Sequence, residues 1–320
     1  MPKVSVIIPI YNVAPHLKRC VDSLMNQTLD DMEFIFVEDC STDDSPSVLE
    51  EALSAYPERR TYVKLIRHET NMGLTRSRND GLSVATGDYI AHCDSDDWMD
   101  HAMYEKLYLK AVAEDADIAM CDFWFARDDG DELYHTMSPS GNHDVDVSRY
   151  ISTLWTVTWN LIIRRSLYET HGLRSPEHIC YTEDFYLTVR AMYYSSKIAK
   201  VDEPLYWYNQ MNSASIMHHL TEKRRMEEKT SYLDTIAFFE SEGVLDRYER
   251  EMGWRILKNK QTLVLQDRFD EFMAIWPRSH RYIWSVRRPF CDWKIRVLML
   301  LVVCGLRWPV HLNNVRKHRA

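Results

Sequence analysis

Glycine is scarce in this 320-residue chain, at 9 residues, so neither a collagen-like repeat nor a flexible glycine linker can be built from it. No glycine-rich phosphate loop follows the first apolar run, Val4–Ile8. No apolar run reaches the roughly 18 residues that a membrane-spanning helix requires. The seven cysteines make an odd count without a C-x-x-C pair, and the N-terminal residues lack the basic, apolar and small-residue series of a secretory signal. Both observations lead us to expect a reducing, cytoplasmic setting. The net charge of −9 argues against a general nucleic-acid binder. What is present is ordinary core material: 45% hydrophobic residues and 38 aromatics, enough to exclude a disordered or disulfide-stapled chain.

Charge is unevenly distributed. The last 40 residues hold nine Lys or Arg against one acid, Asp292, a balance of +8 that leaves −17 on the preceding 280. A basic tail on an acidic body points to an anionic partner, with a membrane surface first among them.

Short apolar runs alternate with amphipathic segments through the first 125 residues. Strands are expected at Val4–Ile8, Phe34–Val37, Val63–Ile66, Tyr89–Ala91 and Ile118–Phe125, and helices at Ala14–Asn26, Pro46–Tyr56, Thr75–Ala85 and Tyr104–Ala113. That alternation implies right-handed crossovers and a mostly parallel, Rossmann-like α/β sheet with helices on both faces. Ligands of such sheets sit beyond the carboxyl ends of the strands. The polar stretch 127–147 reads as a hairpin or loop, and Thr182–Tyr194 as a helix. Beyond about residue 220 long helical patterns take over, so we expect one domain at 1–220 and a helical extension at 221–320.

Four segments carry candidate chemistry. Asp94-Ser95-Asp96-Asp97 puts three carboxylates in four residues at a strand end, a crowding that is unfavourable without a cation. Oxygen ligands with room for water suit Mg²⁺ or Mn²⁺; a solvated acidic turn is the alternative. Asp39 closes the strand before the helix-capping run Ser41–Ser45, which leaves it free to accept from a base or ribose hydroxyl. Gly73 permits a turn into a helix with Arg76 and Arg78 in its first turns, where a diphosphate would be favoured, although residues two apart cannot share a helix face. Glu183-Asp184 open the helix after Thr182, a position that acids also take for dipole reasons alone. The aromatic runs Trp155–Asn160 and Tyr206–Tyr208 suit either sugar stacking or core packing, with Trp159 the acceptor-side choice.

In this order, Val4–Asn12, Asp39, Asn71–Gly81, Asp94-Ser95-Asp96-Asp97-Trp98 and Glu183-Asp184 resemble glycosyltransferase family 2, which has the GT-A nucleotide-sugar fold. The resemblance covers about residues 3–215. It implies an inverting enzyme that uses a nucleotide-diphospho-sugar and a divalent metal (Mn²⁺ or Mg²⁺). Pro9, Tyr11 and Asp39 match nucleoside-binding positions; Asp94 and Asp96 match the D-x-D, with Asp96 the stronger metal ligand; Asp184 matches the catalytic base, assisted by Glu183. Tyr206–Met211 departs from the family pattern, since many relatives carry Arg or His there; His218 is the substitute considered. The implied activity is sugar transfer, from a UDP-sugar first among donors, to a hydroxyl of a glycan or lipid-linked acceptor in bacterial surface polysaccharide synthesis. The rivals are a non-catalytic nucleotide-sugar-binding protein and a nucleotidyltransferase on a similar sheet.

The tail adds one expectation. Val297–Leu306 is apolar and flanked by Arg and Trp, too short to cross a bilayer but suited to lie in its interface. Residues 287–319 are therefore expected either to contact the inner face of a membrane or to pack on protein.

Overall fold

A computed structural model describes residues 2–212 and 221–318, with side chains described to Asn314. His218 lies outside the described residues. The chain forms two compact units, one of residues 1–147 and 156–220, the other of 148–155 and 221–320.

The first unit is built on a sheet whose strands are β1 (Val4–Ile10), β2 (Met32–Glu38), β3 (Val63–Arg67), β4 (Tyr89–His92), β5 (Trp98–Met99), β6 (Ile118–Ala126), β7 (Glu132–Tyr134), β8 (Leu161–Arg164) and β9 (Ile198–Asn209). They are ordered β3-β2-β1-β4-β8-β6-β9-β5, with β7 pairing β6. The helices are α1 (Ala14–Met25), α2 (Ser45–Ser54), α3 (Leu74–Val84), α4 (Met103–Glu114), α5 (His143–Ile151), α6 (Arg165–His171) and α7 (Glu183–Tyr194). Strands β3, β2, β1 and β4 are parallel neighbours, so their carboxyl ends share one edge of the sheet. Every residue of β1 and β2 is buried, as expected of strands covered on both faces.

Beyond β4 the sheet is mixed rather than parallel. β8 inserts antiparallel to both β4 and β6, while β6 and β9 run parallel. The long strand β9 escapes sequence pattern because Asp202-Glu203-Pro204 interrupts it at an irregularity in its register against β6; proline inside a strand is tolerated at such breaks. The stretch 127–147 resolves into a hairpin, β6 to β7 with Phe123 opposite Tyr134, and the start of α5.

Helix α3 lies unusually close to the sheet. A Cβ at Gly81 would sit 2.5 Å from Ile7 Cγ2, so only glycine allows this approach. The close packing presses the same face of α3, which carries Arg78 one turn earlier, into the protein.

The second unit is helical: α8 (Glu222–Ser241), α9 (Leu245–Leu265), α10 (Phe269–Ala274), a 3₁₀ turn (Pro277–Tyr282), α11 (Trp293–Val303) and α12 (Arg307–His318). Its core gathers Leu257, Val264, Phe272, Ile283, Val286, Met299, Val302 and Val310. The expected single apolar segment Val297–Leu306 is corrected to a helix–turn–helix. Gly305 (φ 81°) ends α11, its N–H bonding Val302 O at 3.0 Å and that of Leu306 bonding Leu301 O at 2.8 Å. These are the paired bonds of a Schellman stop.

Candidate functional site

The four parallel strands deliver Tyr11, Asp39, His68 and Cys93-Asp94 to one edge of the sheet. Pro9 is buried within β1, whereas Tyr11 just beyond it is 48% exposed. An exposed aromatic at a strand's carboxyl end offers a face on which a base can stack.

Asp39 has a structural task that its sequence position does not announce. Its carboxylate accepts from Met72 N at 2.7 Å and Gly73 N at 2.8 Å, and bonds His68 Nδ1 at 2.7 Å. The opposite nitrogen of His68 meets Asp80 at 3.1 Å. Asp39 thus pins the turn that launches α3, and direct contact with a nucleoside would use the acceptor capacity that remains. His68 was missed because a lone histidine after β3 has no motif around it. Asp39→Ala is expected to cost about 1–3 kcal/mol, the scale of buried donors left unpaired, read by chemical denaturation; an unchanged midpoint would overturn this anchoring role.

The two arginines of α3 part company, as their spacing requires. Arg76 faces outward and pairs with Asp80 at 2.8 Å and Glu177 at 3.5 Å. Arg78 is 1% exposed and forks to three carboxylates: Asp94 at 2.8 Å, Glu183 at 2.6 Å and Asp184 at 2.5 Å. This corrects the expectation that Arg78 contacts a diphosphate, because its charge is already committed. Of the crowded carboxylates at 94–97 it gives Asp94 a counter-charge from within the protein.

The three acids of the D-x-D-D turn have different fates. Asp97 is fully buried and takes bonds from Tyr206 Oη and Asn209 N, both at 2.7 Å; burial holds its carboxyl well above the usual range. It braces the turn. Asp96 is half-buried and accepts from Asn212 Nδ2 at 2.8 Å through one oxygen. Asp94 is pushed up to about 6 by burial, with Asp184 and Asp96 adding to the effect and Arg78 opposing it. Glu183, also buried, rises to about 8 through burial and its neighbour Asp184, again against Arg78. One guanidinium against Asp94, Glu183 and Asp184 leaves two negative charges unmatched, and protons or a cation must balance them.

A divalent cation fits that surplus. Asp94 and Asp96 supply hard oxygens, each with one oxygen outside the hydrogen bonds above. Among the described residues no group of three or more His, Cys, Asp or Glu forms a ready-made cage. Phosphate oxygens and water would therefore have to complete the shell, as Mg²⁺ and Mn²⁺ commonly allow.

Helix α7 brings Glu183 and Asp184 to the same guanidinium. Thr182, the residue before the helix, is left-handed (φ 68°) and makes no side-chain cap bond. Asp184 accepts through Oδ1 from both Arg78 and Thr158 Oγ1, the latter at 3.0 Å, which leaves Oδ2 without a hydrogen bond among the described residues. Thr158, Asn209 and Asn212 were not foreseen, because their partners lie 26, 112 and 116 residues away in sequence and no local spacing signals such contacts. The same holds for Arg19, which lies 3.2 Å over the Trp98 ring.

Trp159 is corrected as an acceptor platform. It is 2% exposed, stacked on Tyr206 at 4.4 Å and edge-on to Phe123 at 4.7 Å, so its faces belong to the core. Trp159→Phe is expected to cost about 1–2 kcal/mol of stability without changing acceptor KM. A raised acceptor KM at unchanged Tm would restore the stacking role.

An α/β sheet of mixed pairing, with acids gathered at the carboxyl edge of its parallel half, is the GT-A architecture of glycosyltransferases. The chain belongs to glycosyl transferase family 2, whose description matches residues 5–172. It is 29% identical over 276 residues to EpsH of Bacillus subtilis (strain 168), named as a glycosyltransferase, covering 83% of this chain and 77% of that one. It is 28% identical over 243 residues to the cholesterol galactosyltransferase of Borreliella burgdorferi, covering 71% and 66%. The fold is shared with the crystal structure of S. aureus TarS 1–349 in complex with UDP-GlcNAc (TM-score 0.68, 18% identity, 99% and 91% covered). It is shared also with the mannosyltransferase PcManGT from Pyrobaculum calidifontis in complex with GDP-Man and Mn²⁺ (TM-score 0.58, 15% identity, 96% and 88% covered).

Proposed function

We propose that this glycosyltransferase moves a sugar, with inversion, from a nucleotide-diphospho-sugar to a hydroxyl of a glycan or lipid-linked acceptor. One observation carries the reading: Arg78 gathers Asp94 from the D-x-D turn and Asp184 from α7 at one point, with Asp184 Oδ2 left available. Inversion needs an acceptor hydroxyl attacking opposite the leaving diphosphate, and a carboxylate to take its proton as the bond forms. Asp184 fills that role. Glu183, buried behind it, positions Arg78 and the helix start. Tyr11 and the turn pinned by Asp39 receive the nucleoside, and Arg76 is the exposed cation nearest that turn in sequence. Asp94 and Asp96 would hold Mn²⁺ or Mg²⁺, which when bound supplies positive charge for the departing diphosphate.

UDP is the favoured nucleotide because the neighbour TarS was crystallised with UDP-GlcNAc; the GDP-Man neighbour makes GDP the comparison to run. The test is a thermal-shift panel of UDP-, GDP- and dTDP-sugars with Mn²⁺ or with EDTA, since a ligand of the native state raises Tm by mass action. Turnover with the preferred donor is then followed by product analysis. Release of nucleoside diphosphate, with the anomeric configuration inverted by NMR, is expected. Pyrophosphate release would instead mark a nucleotidyltransferase, and donor binding without turnover a non-catalytic binding protein.

A further inference from the structure

The helical unit carries a surface that its own core does not use. On α11, Met299 and Val302 point inward, while Trp293 and Val297, one turn apart, are 59% and 43% exposed. On α12, Val310 and Asn314 are buried, and Trp308 and Leu312 repeat the outward pair at the same spacing. Leu306 in the turn between the helices and Trp284 before them are exposed as well, Trp284 at 73%. A monomer seldom leaves three indoles in water on one short stretch of chain without a use for them.

The charges beside these indoles are positive and largely uncommitted. Arg296 donates to the carbonyls of Trp284 and Val286, both at 3.2 Å, which ties the start of α11 to Trp284 and leaves the guanidinium without a carboxylate. Lys294 lies 5.9 Å over the Trp293 ring. Neither Lys294 nor Arg287 has an ion pair among the described residues. Arg288 and Arg307 are matched, by Asp292 at 2.9 Å and Asp270 at 2.8 Å. Indoles interleaved with free cations suit a headgroup layer, where the ring sits at the interface and the cation meets lipid phosphate.

Length excludes a deeper mode. At 1.5 Å per residue, the 11 residues of α11 extend about 16 Å, roughly half the hydrocarbon thickness, and no helix among the described residues is long and apolar enough to cross a membrane. A second copy of the chain is the weaker occupant, because a two-fold contact through this face would set its cations against themselves.

We infer that Trp284, Trp293 and Trp308, with Arg287, Lys294 and Arg296, form a docking surface for a bilayer bearing anionic lipid. The surface lies wholly within the helical unit and stands apart from the sugar-transfer reading. It would hold the enzyme where a lipid-linked acceptor is presented.

The test is co-sedimentation of the full chain with phosphatidylcholine vesicles that contain 0 or 30% phosphatidylglycerol (about 30%, a level chosen to set a clear surface potential). Binding is expected only to the anionic vesicles, weakening as salt is raised. Trp284→Ser/Trp293→Ser/Trp308→Ser and Arg287→Glu/Lys294→Glu should each cut it by tenfold or more. Because all five side chains are exposed, lie outside the core cluster of the helical unit and make no ion pair among the described residues, Tm and nucleotide-sugar binding of the variants should match the parent, which separates lost docking from misfolding. Equal binding to both vesicle types, or binding untouched by the tryptophan variant, would overturn the proposal. So would concentration-dependent dimerisation that the same substitutions abolish in a protein that ignores vesicles.

Discussion

Asp184→Asn is expected to lower turnover by about 10²–10⁴-fold, the range a positioned general base contributes, while donor affinity stays within about threefold. The substitution is close to isosteric. Its carbonyl oxygen can still accept from Arg78 and Thr158, as Oδ1 does now, and this fixes the amide orientation because its NH₂ cannot face a guanidinium. The NH₂ then occupies the place of Oδ2, where it can donate to an acceptor hydroxyl but cannot take its proton. The ground-state complex survives and the proton transfer does not, so kcat and kcat/KM should fall together. Stability should hold or rise, since the cluster loses one of its unmatched negative charges. The measurements are steady-state release of nucleoside diphosphate, donor titration in the thermal-shift assay, and Tm without ligand. Turnover within a few-fold of the parent would remove Asp184 from the role of base and send the search to another acid.

Much of this protein is legible in its sequence, and the limits are physical. The parallel half of the sheet was readable because strands buried on both faces carry unbroken apolar stretches, as Val6–Ile8 and Phe34–Val37 show. The antiparallel half was not. β8 is four residues long and β9 is broken by a charged, proline-containing irregularity, so neither leaves a period to detect. In the site, acids at strand ends announced themselves, but their partners did not. Arg78 looked like one of two surface cations, since nothing local says that Gly81 draws its helix face onto Ile7. Asp39 looked like a ligand because its bonding partners lie 29 to 34 residues away. Spacing in sequence reports which residue types coexist; which of them neutralise one another depends on the packing of α3 and α7 against the sheet.

Arg78→Met tests that neutralisation directly. Removing the charged member of a buried ion pair while its partners remain costs about 3–5 kcal/mol, and here three carboxylates lose their common cation at once. At about 2–4 °C per kcal/mol for a domain of this size, Tm should fall on the order of 10 °C, and activity should vanish because Asp94 and Asp184 lose the group that holds them together. Arg78→Lys should fall between, since one ammonium cannot reproduce the fork. The pH dependence has a definite sign. Glu183 sits near 8 in the folded protein against about 4.3 for an unperturbed glutamate, so its ionisation opposes folding as pH rises through that window. Glu183 stays protonated in both folded proteins below that value, so the pH-dependent part of the deficit comes from Asp94, near 6 in the parent with Arg78 opposing the rise; without Arg78 it climbs, and the deficit should be small near pH 5 and grow toward pH 8. Adding Glu183→Gln to Arg78→Met removes the cost of keeping that buried carboxyl protonated and should restore part of the stability at pH 8 without restoring turnover. A Tm within about 2 °C of the parent at pH 8 would mean that the carboxylates find another counter-charge, and the site would have to be rebuilt around it.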